Sequence, residues 1–92
     1  LEVIEQYKKL LSMIDDGEIN EAENILIDGL KEGDRAYFEM ALLFYEKLSG
    51  KTDEFLAEHD YSREEVVDGL KYVVNFYGHG SLLDAFTEDI EI

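Results

Sequence analysis

The chain has 92 residues, of which 46% are hydrophobic and 34% charged, a balance typical of one globular domain and too apolar for a disordered acidic segment. Its 23 acidic and 8 basic residues give a formal net charge of −15, which argues against binding to nucleic acid or to an anionic membrane surface. The absence of cysteine excludes disulfides, a thiol nucleophile and cysteine zinc sites.

Two amphipathic helices are predicted in the first third of the chain. The first covers residues 1–15 and has an apolar face formed by Val3, Tyr7, Leu10 and Ile14. Gly17 ends it, because glycine tolerates the left-handed conformation. The second runs from Asn20 to Glu32, is closed by Gly33, and buries Ala22, Ile25, Leu26 and Leu30. The short connection between them predicts an antiparallel hairpin.

The third predicted helix begins at the N-cap Asp34 and runs to Leu48. It is apolar on almost every side, which places it at the centre of the domain or partly against a second subunit. Because a helix in so small a domain cannot be covered in every direction, we expect an exposed patch for a protein partner among Phe38, Leu42 and Tyr45.

Three further helices are predicted after Gly50. Thr52 caps a short helix over residues 53–58, and the capping box that starts at Ser62 opens a longer one whose main face holds Val66, Leu70, Val73 and Tyr77. Ser81 caps a last short helix with Leu82, Leu83 and Phe86, followed by an acidic tail over residues 87–92. No segment alternates with a period of two. The prediction is therefore one all-α domain over residues 1–92, with five or six helices.

Residues 17–22 and 50–55 share a glycine, a polar pair and an apolar residue, at a spacing of 33 residues. With Ala22, Leu26 and Gly29 in a small–large–small pattern, this resembles the tetratricopeptide repeat, whose period is 34 residues. The resemblance covers residues 10–30 best, since Phe55 stands where a small residue is usual. It implies a right-handed stack of helical hairpins that binds other proteins and carries no chemistry. The chain is also similar to short acidic proteins of Gram-positive bacteria that have no assigned function.

The residue types that could carry chemistry do not form a convincing site. Gly17, Ile19 and Glu23 match three places of a calcium-binding EF-hand loop, but Ile14 then occupies a ligand place and has no side-chain oxygen, so we interpret the segment as an acidic turn. His59 and His79 lie in separate connections, with no second histidine at metal-binding spacing, and are interpreted as exposed. We predict no catalytic residue, no metal and no cofactor.

The most consistent function is non-catalytic. We expect a cytoplasmic protein that binds a basic protein or peptide, or associates with itself, without nucleic acid or membrane partners. One alternative is a nucleic-acid mimic that occupies a DNA-binding protein, which predicts regular rows of carboxylates on one face. The other is a small carboxylate-based metal-binding protein or hydrolase, which predicts carboxylates converging in a pocket.

Overall fold

The computed structural model describes residues 2–78, which form five α-helices and no strand. The helices are α1 (Glu2–Asp15), α2 (Ile19–Asp28), α3 (Arg35–Ser49), α4 (Asp53–Glu58) and α5 (Arg63–Phe76). The predicted all-α class is confirmed. The predicted sixth helix, His79 and the acidic tail lie outside the described residues. Within residues 2–78, none of the helices combines the length and apolarity needed to cross a bilayer.

Three helices begin at the caps that the sequence predicted. The side-chain oxygens of Asp34, Thr52 and Ser62 each accept a hydrogen bond from the backbone amide three residues later, at 3.0, 3.0 and 3.2 Å. Each bond satisfies one of the amides that a first helical turn leaves without a partner. These caps set the starts of α3, α4 and α5.

The first turn was predicted correctly, but the end of α2 was not. Gly17 has a φ of +87°, the left-handed conformation expected of it. Helix α2 ends at Asp28, four residues before the predicted Glu32, with Gly29 as its C-cap. Leu30 continues the apolar pattern yet lies in the following turn, half-buried against the core. Gly33, with a φ of +82°, lies in this turn instead of capping the helix.

Contacts at the helix ends establish the directions of the long helices. Asp15, at the end of α1, forms ion pairs with Lys51 and Lys47 at 2.7 and 3.3 Å, so α1 and α3 end side by side and run in the same direction. Hydrogen bonds from Lys51 and Lys47 hold the pKa of Asp15 below its usual value. Arg63, at the start of α5, donates to the Ser49 carbonyl at the end of α3, so α5 runs antiparallel to α3.

Helix α3 is the centre of the domain, as its composition predicted. It contacts both α1 and α5, and it supplies six buried side chains to a single core: Tyr37, Met40, Ala41, Phe44, Tyr45 and Leu48. The first hairpin packs α1 against α2, and α3 and α5 form the second, with α4 in their connection. The described chain is thus a stack of helical hairpins.

Candidate functional site

A half-buried carboxylate joins the two hairpins. Glu23 of α2 accepts hydrogen bonds at its Oε2 atom from two phenol groups, those of Tyr45 in α3 and of Tyr61, which precedes α5. The two distances are 2.7 and 2.9 Å. Hydrogen bonds to a charged acceptor are stronger than those between neutral groups. One side chain of α2 is therefore hydrogen-bonded both to α3 and to the connection that precedes α5.

The same environment keeps the two phenols protonated. Burial is the main cause that raises the pKa of Tyr45 and of Tyr61 far above the ordinary value, and the Glu23 carboxylate raises both further. A phenolate beside the carboxylate would place two negative charges together in a region with little water. Both tyrosines therefore remain hydrogen-bond donors at any physiological pH.

A glycine in α5 makes room for Tyr45. A Cβ atom on Gly69 would lie 2.5 Å from the Tyr45 ring, closer than atoms can approach. The absence of a side chain at position 69 therefore allows the ring to reach Glu23 between α2 and α5. Tyr45 is consequently only 1% exposed, although it is a large side chain in a small domain.

A shallow groove of about 360 Å³ lies between α2 and α5, beside this cluster. We call it the α2–α5 groove; it is lined by Glu23, Ile27, Glu65, Asp68, Gly69 and Tyr72. Three of these residues are acidic and none is basic, while Ile27 and the 53% exposed Tyr72 supply apolar surface. Such a lining can receive a positively charged side chain together with its apolar stem.

A second groove, of about 210 Å³, lies between α1 and α3 and differs in character. This α1–α3 groove is lined by Val3, Ile4, Tyr7, Ala36, Glu39, Met40 and Leu43. It holds a single carboxylate, that of Glu39, and Ile4 and Leu43 are exposed at its rim. It offers apolar contact but little charge for recognition.

The family comparison covers the residues that form the five described helices. Residues 1–78 match the model described as "Family of unknown function (DUF6483)", which is 78 of the 92 residues. The chain belongs to the DUF6483 family. Neither a curated protein nor a solved structure gave a match. The family description assigns no activity, so the function of this DUF6483 domain has to be argued from its surface.

The three residues of the predicted patch, Phe38, Leu42 and Tyr45, differ in exposure in the DUF6483 domain. Tyr45 is buried, so the expectation that it is exposed is wrong, because the helical period cannot show that both α2 and α5 pack on that side of α3. Phe38 and Leu42 are half-buried, and Phe38 packs its ring 4.9 Å from that of Tyr77. Their role in partner binding stays a prediction.

The calcium alternative does not fit this DUF6483 domain. The loop would have to span residues 12–23, but Ser12 lies within α1 and Glu23 within α2, so only residues 16–18 lie between the helices. More generally, no group of three or more histidine, cysteine, aspartate or glutamate side chains among residues 2–78 could hold a metal ion.

His59 is half-buried and not an exposed loop residue as predicted. Its ring lies against Gly17, where a side chain would collide with it, and packs 4.7 Å from the ring of Phe55. Beside it, the Asn20 side-chain amide donates to the Asp60 carbonyl at 3.2 Å. His59 therefore helps to join the first turn of the DUF6483 domain to the connection between α4 and α5.

The residues that build the α2–α5 groove are not identified by the sequence pattern. In the sequence, Glu23 stands out only as a possible calcium ligand. The one signal that could have pointed to the groove is Gly69, because a glycine inside a helical pattern often marks a close approach by another group.

Proposed function

We propose that this domain is a non-catalytic interaction module that binds a basic protein or peptide through the α2–α5 groove. The single observation that carries the proposal is the lining of that groove, which sets three carboxylates beside Ile27 and the exposed Tyr72. A lysine or arginine of the partner can place its charge among the carboxylates and its methylene stem on the apolar surface.

The charge of the whole chain supports the same class of partner. A net charge of −15 attracts a positively charged protein over several ångströms and raises the rate of encounter. The apolar part of the groove adds contact area that depends little on salt. We therefore expect binding that weakens as the salt concentration rises, but that requires the groove and not charge alone.

The arrangement of the helices supports a tetratricopeptide-like scaffold for this role. The first helices of the two hairpins, α1 and α3, run in the same direction, and Gly29, the C-cap of α2, lies against the Tyr37 hydroxyl of α3. That hydroxyl donates to the Leu26 carbonyl at 2.7 Å, so the small residue permits the close approach that the resemblance implied. We propose that the domain acts in the bacterial cytoplasm as such a scaffold.

Amide chemical-shift mapping tests the proposal. The full chain, labelled with ¹⁵N, is titrated with a peptide that contains alternating lysine, arginine and leucine residues. We expect the largest shifts at the residues that line the α2–α5 groove, with smaller shifts at high salt. Shifts spread over the carboxylates of every helix would contradict the groove and favour the nucleic-acid mimic. The absence of any shift would contradict a basic partner of this kind.

A further inference from the structure

The two helices that border the α2–α5 groove run in the same direction. Near their starts, the side-chain amide of Asn20 in α2 donates to the carbonyl of Asp60, shortly before α5, at 3.2 Å. Beyond their ends, the Lys31 amide donates to the Tyr77 hydroxyl at 3.3 Å. The starts of α2 and α5 therefore lie at one end of the groove, and the ends of both helices lie at the other.

Charge and apolar surface are separated along this groove. In α2, Glu23 comes before Ile27, and in α5, Glu65 and Asp68 come before Tyr72. On each helix the carboxylates thus precede the apolar side chain. Because the helices run in the same direction, the groove has an acidic end near the helix starts and an apolar end near the helix ends.

The apolar end continues for one more turn of α5. Phe76 lies four residues after Tyr72 and therefore on the same face of the helix. The two side chains are 38% and 53% exposed, and the Phe76 ring packs 5.1 Å from that of Tyr77 in an edge-to-face arrangement. Exposed aromatic rings are enriched in protein interfaces, because they bury a large area on binding.

We infer that the partner segment is divided in the same way as the groove. It places a lysine or arginine side chain at the acidic end and a leucine or aromatic side chain at the apolar end. This inference rests on the proposed function and adds the order in which the partner's side chains lie along the groove. The reversed order sets an apolar side chain among three carboxylates, which removes water from them and supplies no opposite charge.

The length of the groove sets the spacing of the two kinds of side chain. Along α5, the rise from Glu65 to Tyr72 is about 10 Å, and that from Asp68 to Phe76 is about 12 Å. An extended segment covers this distance in about three or four residues. If basic and apolar residues alternate strictly in an extended segment, the side chains on one face are all of one kind. Such a segment always mismatches one end of the groove.

Two peptides of identical composition test the order. The divided peptide has four lysine residues in one half and four leucine residues in the other, and in the control peptide the same residues alternate. In calorimetric titration of the full chain, we expect the divided peptide to bind about tenfold more tightly or better, which corresponds to about 1.4 kcal/mol. Equal affinities, or tighter binding of the alternating peptide, would overturn the inference.

Two variants of the chain assign this preference to the groove. Tyr72→Ala removes an exposed ring from the apolar end and is expected to reduce the preference for the divided peptide to less than about threefold. Leu43→Ala, at an exposed position of the α1–α3 groove, is the matched control and is expected to retain the preference. A full preference in Tyr72→Ala would overturn the inference.

A nitroxide on the divided peptide tests its orientation. It is attached through a cysteine added to the peptide at either end, and the full chain is labelled with ¹⁵N. We expect the label at the lysine end to broaden the amide signals of residues 65–68 severalfold more than those of residues 72–76, and the label at the leucine end to do the reverse. Equal broadening by both labels would overturn this inference but leave the proposed function standing. The absence of broadening at the groove would overturn both.

Discussion

The Tyr45 hydroxyl lies 2.7 Å from Glu23 Oε2 and joins the central helix α3 to α2 at the side of the α2–α5 groove. Glu23 lines the groove directly, and Tyr45 lies against Gly69, which also lines it. The cluster that holds the two hairpins together therefore also fixes the shape of the proposed binding surface.

Removal of the shared carboxylate should destabilise the fold. Glu23→Ala leaves the hydroxyls of Tyr45 and Tyr61 without their acceptor, and we expect the free energy of unfolding to fall by about 1–3 kcal/mol. Urea unfolding followed by circular dichroism measures the change. The control Glu46→Ala, at an exposed position of α3, should change it by less than about 0.5 kcal/mol. Equal effects of the two substitutions would contradict the structural role of Glu23.

The buried tyrosines predict a loss of stability at alkaline pH. The pKa of Tyr45 is raised in the folded state, so above about pH 10 the unfolded chain releases a proton that the folded chain retains. The contribution of Tyr45 to the free energy of unfolding is therefore fully present below pH 10 and decreases as the pH rises further. Above pH 10, each such tyrosine lowers the free energy of unfolding by about 1.4 kcal/mol per pH unit.

The variant Tyr45→Phe isolates this contribution. It removes one titrating group and should make the slope of unfolding free energy against pH shallower by about 1.4 kcal/mol per unit above pH 10. Phe76→Leu, which removes no titrating group from an exposed position, is the control and should leave the slope unchanged. An unchanged slope in Tyr45→Phe would show that Tyr45 titrates normally and is not buried as described.

Substitutions at two glycines with similar backbone conformations distinguish backbone strain from steric collision. Gly17 and Gly33 have φ values of +87° and +82°, but only Gly17 faces another group, the ring of His59. Both Gly17→Val and Gly33→Val should destabilise the domain by more than about 1 kcal/mol, because a branched side chain is strained at positive φ. The loss at Gly17 should be larger. Equal melting temperatures would contradict the contact with His59.

The substitution Gly69→Ala in the middle of α5 should destabilise the domain, although a change from glycine to alanine usually stabilises a helix. Alanine is ordinarily favoured over glycine in a helix by about 1 kcal/mol, but Gly69→Ala places a methyl group against the Tyr45 ring. We expect a destabilisation of about 1–3 kcal/mol, measured by urea unfolding. Asn75→Ala, at an exposed position of the same helix, should be neutral or slightly stabilising. A stabilised Gly69→Ala variant would mean that the ring does not lie there.

The local features of the fold could be predicted from the sequence because they depend on residues close together in the chain. Asp34, Thr52 and Ser62 are caps whose partners lie three residues away, and the left-handed Gly17 follows from the type of residue alone. The end of α2 was harder to predict, since Leu30 continues the apolar period beyond the point where Gly29 ends the helix.

The groove could not be predicted, because it depends on contacts between distant residues. Glu23 is one of 23 acidic residues, and its partners Tyr45 and Tyr61 lie 22 and 38 positions away. A helical pattern shows that Tyr45 belongs to an apolar face, but not that two other helices pack around it. Only the packing shows which carboxylate is enclosed and which carboxylates face water.

The most direct test of the groove is the affinity of the full chain for the basic peptide, measured by calorimetric titration in two variants of equal charge. Glu65→Gln with Asp68→Asn neutralises two groove carboxylates, and Glu2→Gln with Glu5→Gln neutralises two in α1, which contributes no residue to the groove. We predict that the groove variant weakens binding about tenfold or more, which corresponds to about 1.4 kcal/mol, and that the α1 variant weakens it less than about twofold. Equal losses in the two variants would show that the chain attracts the peptide by its overall charge, and would contradict a binding site between α2 and α5.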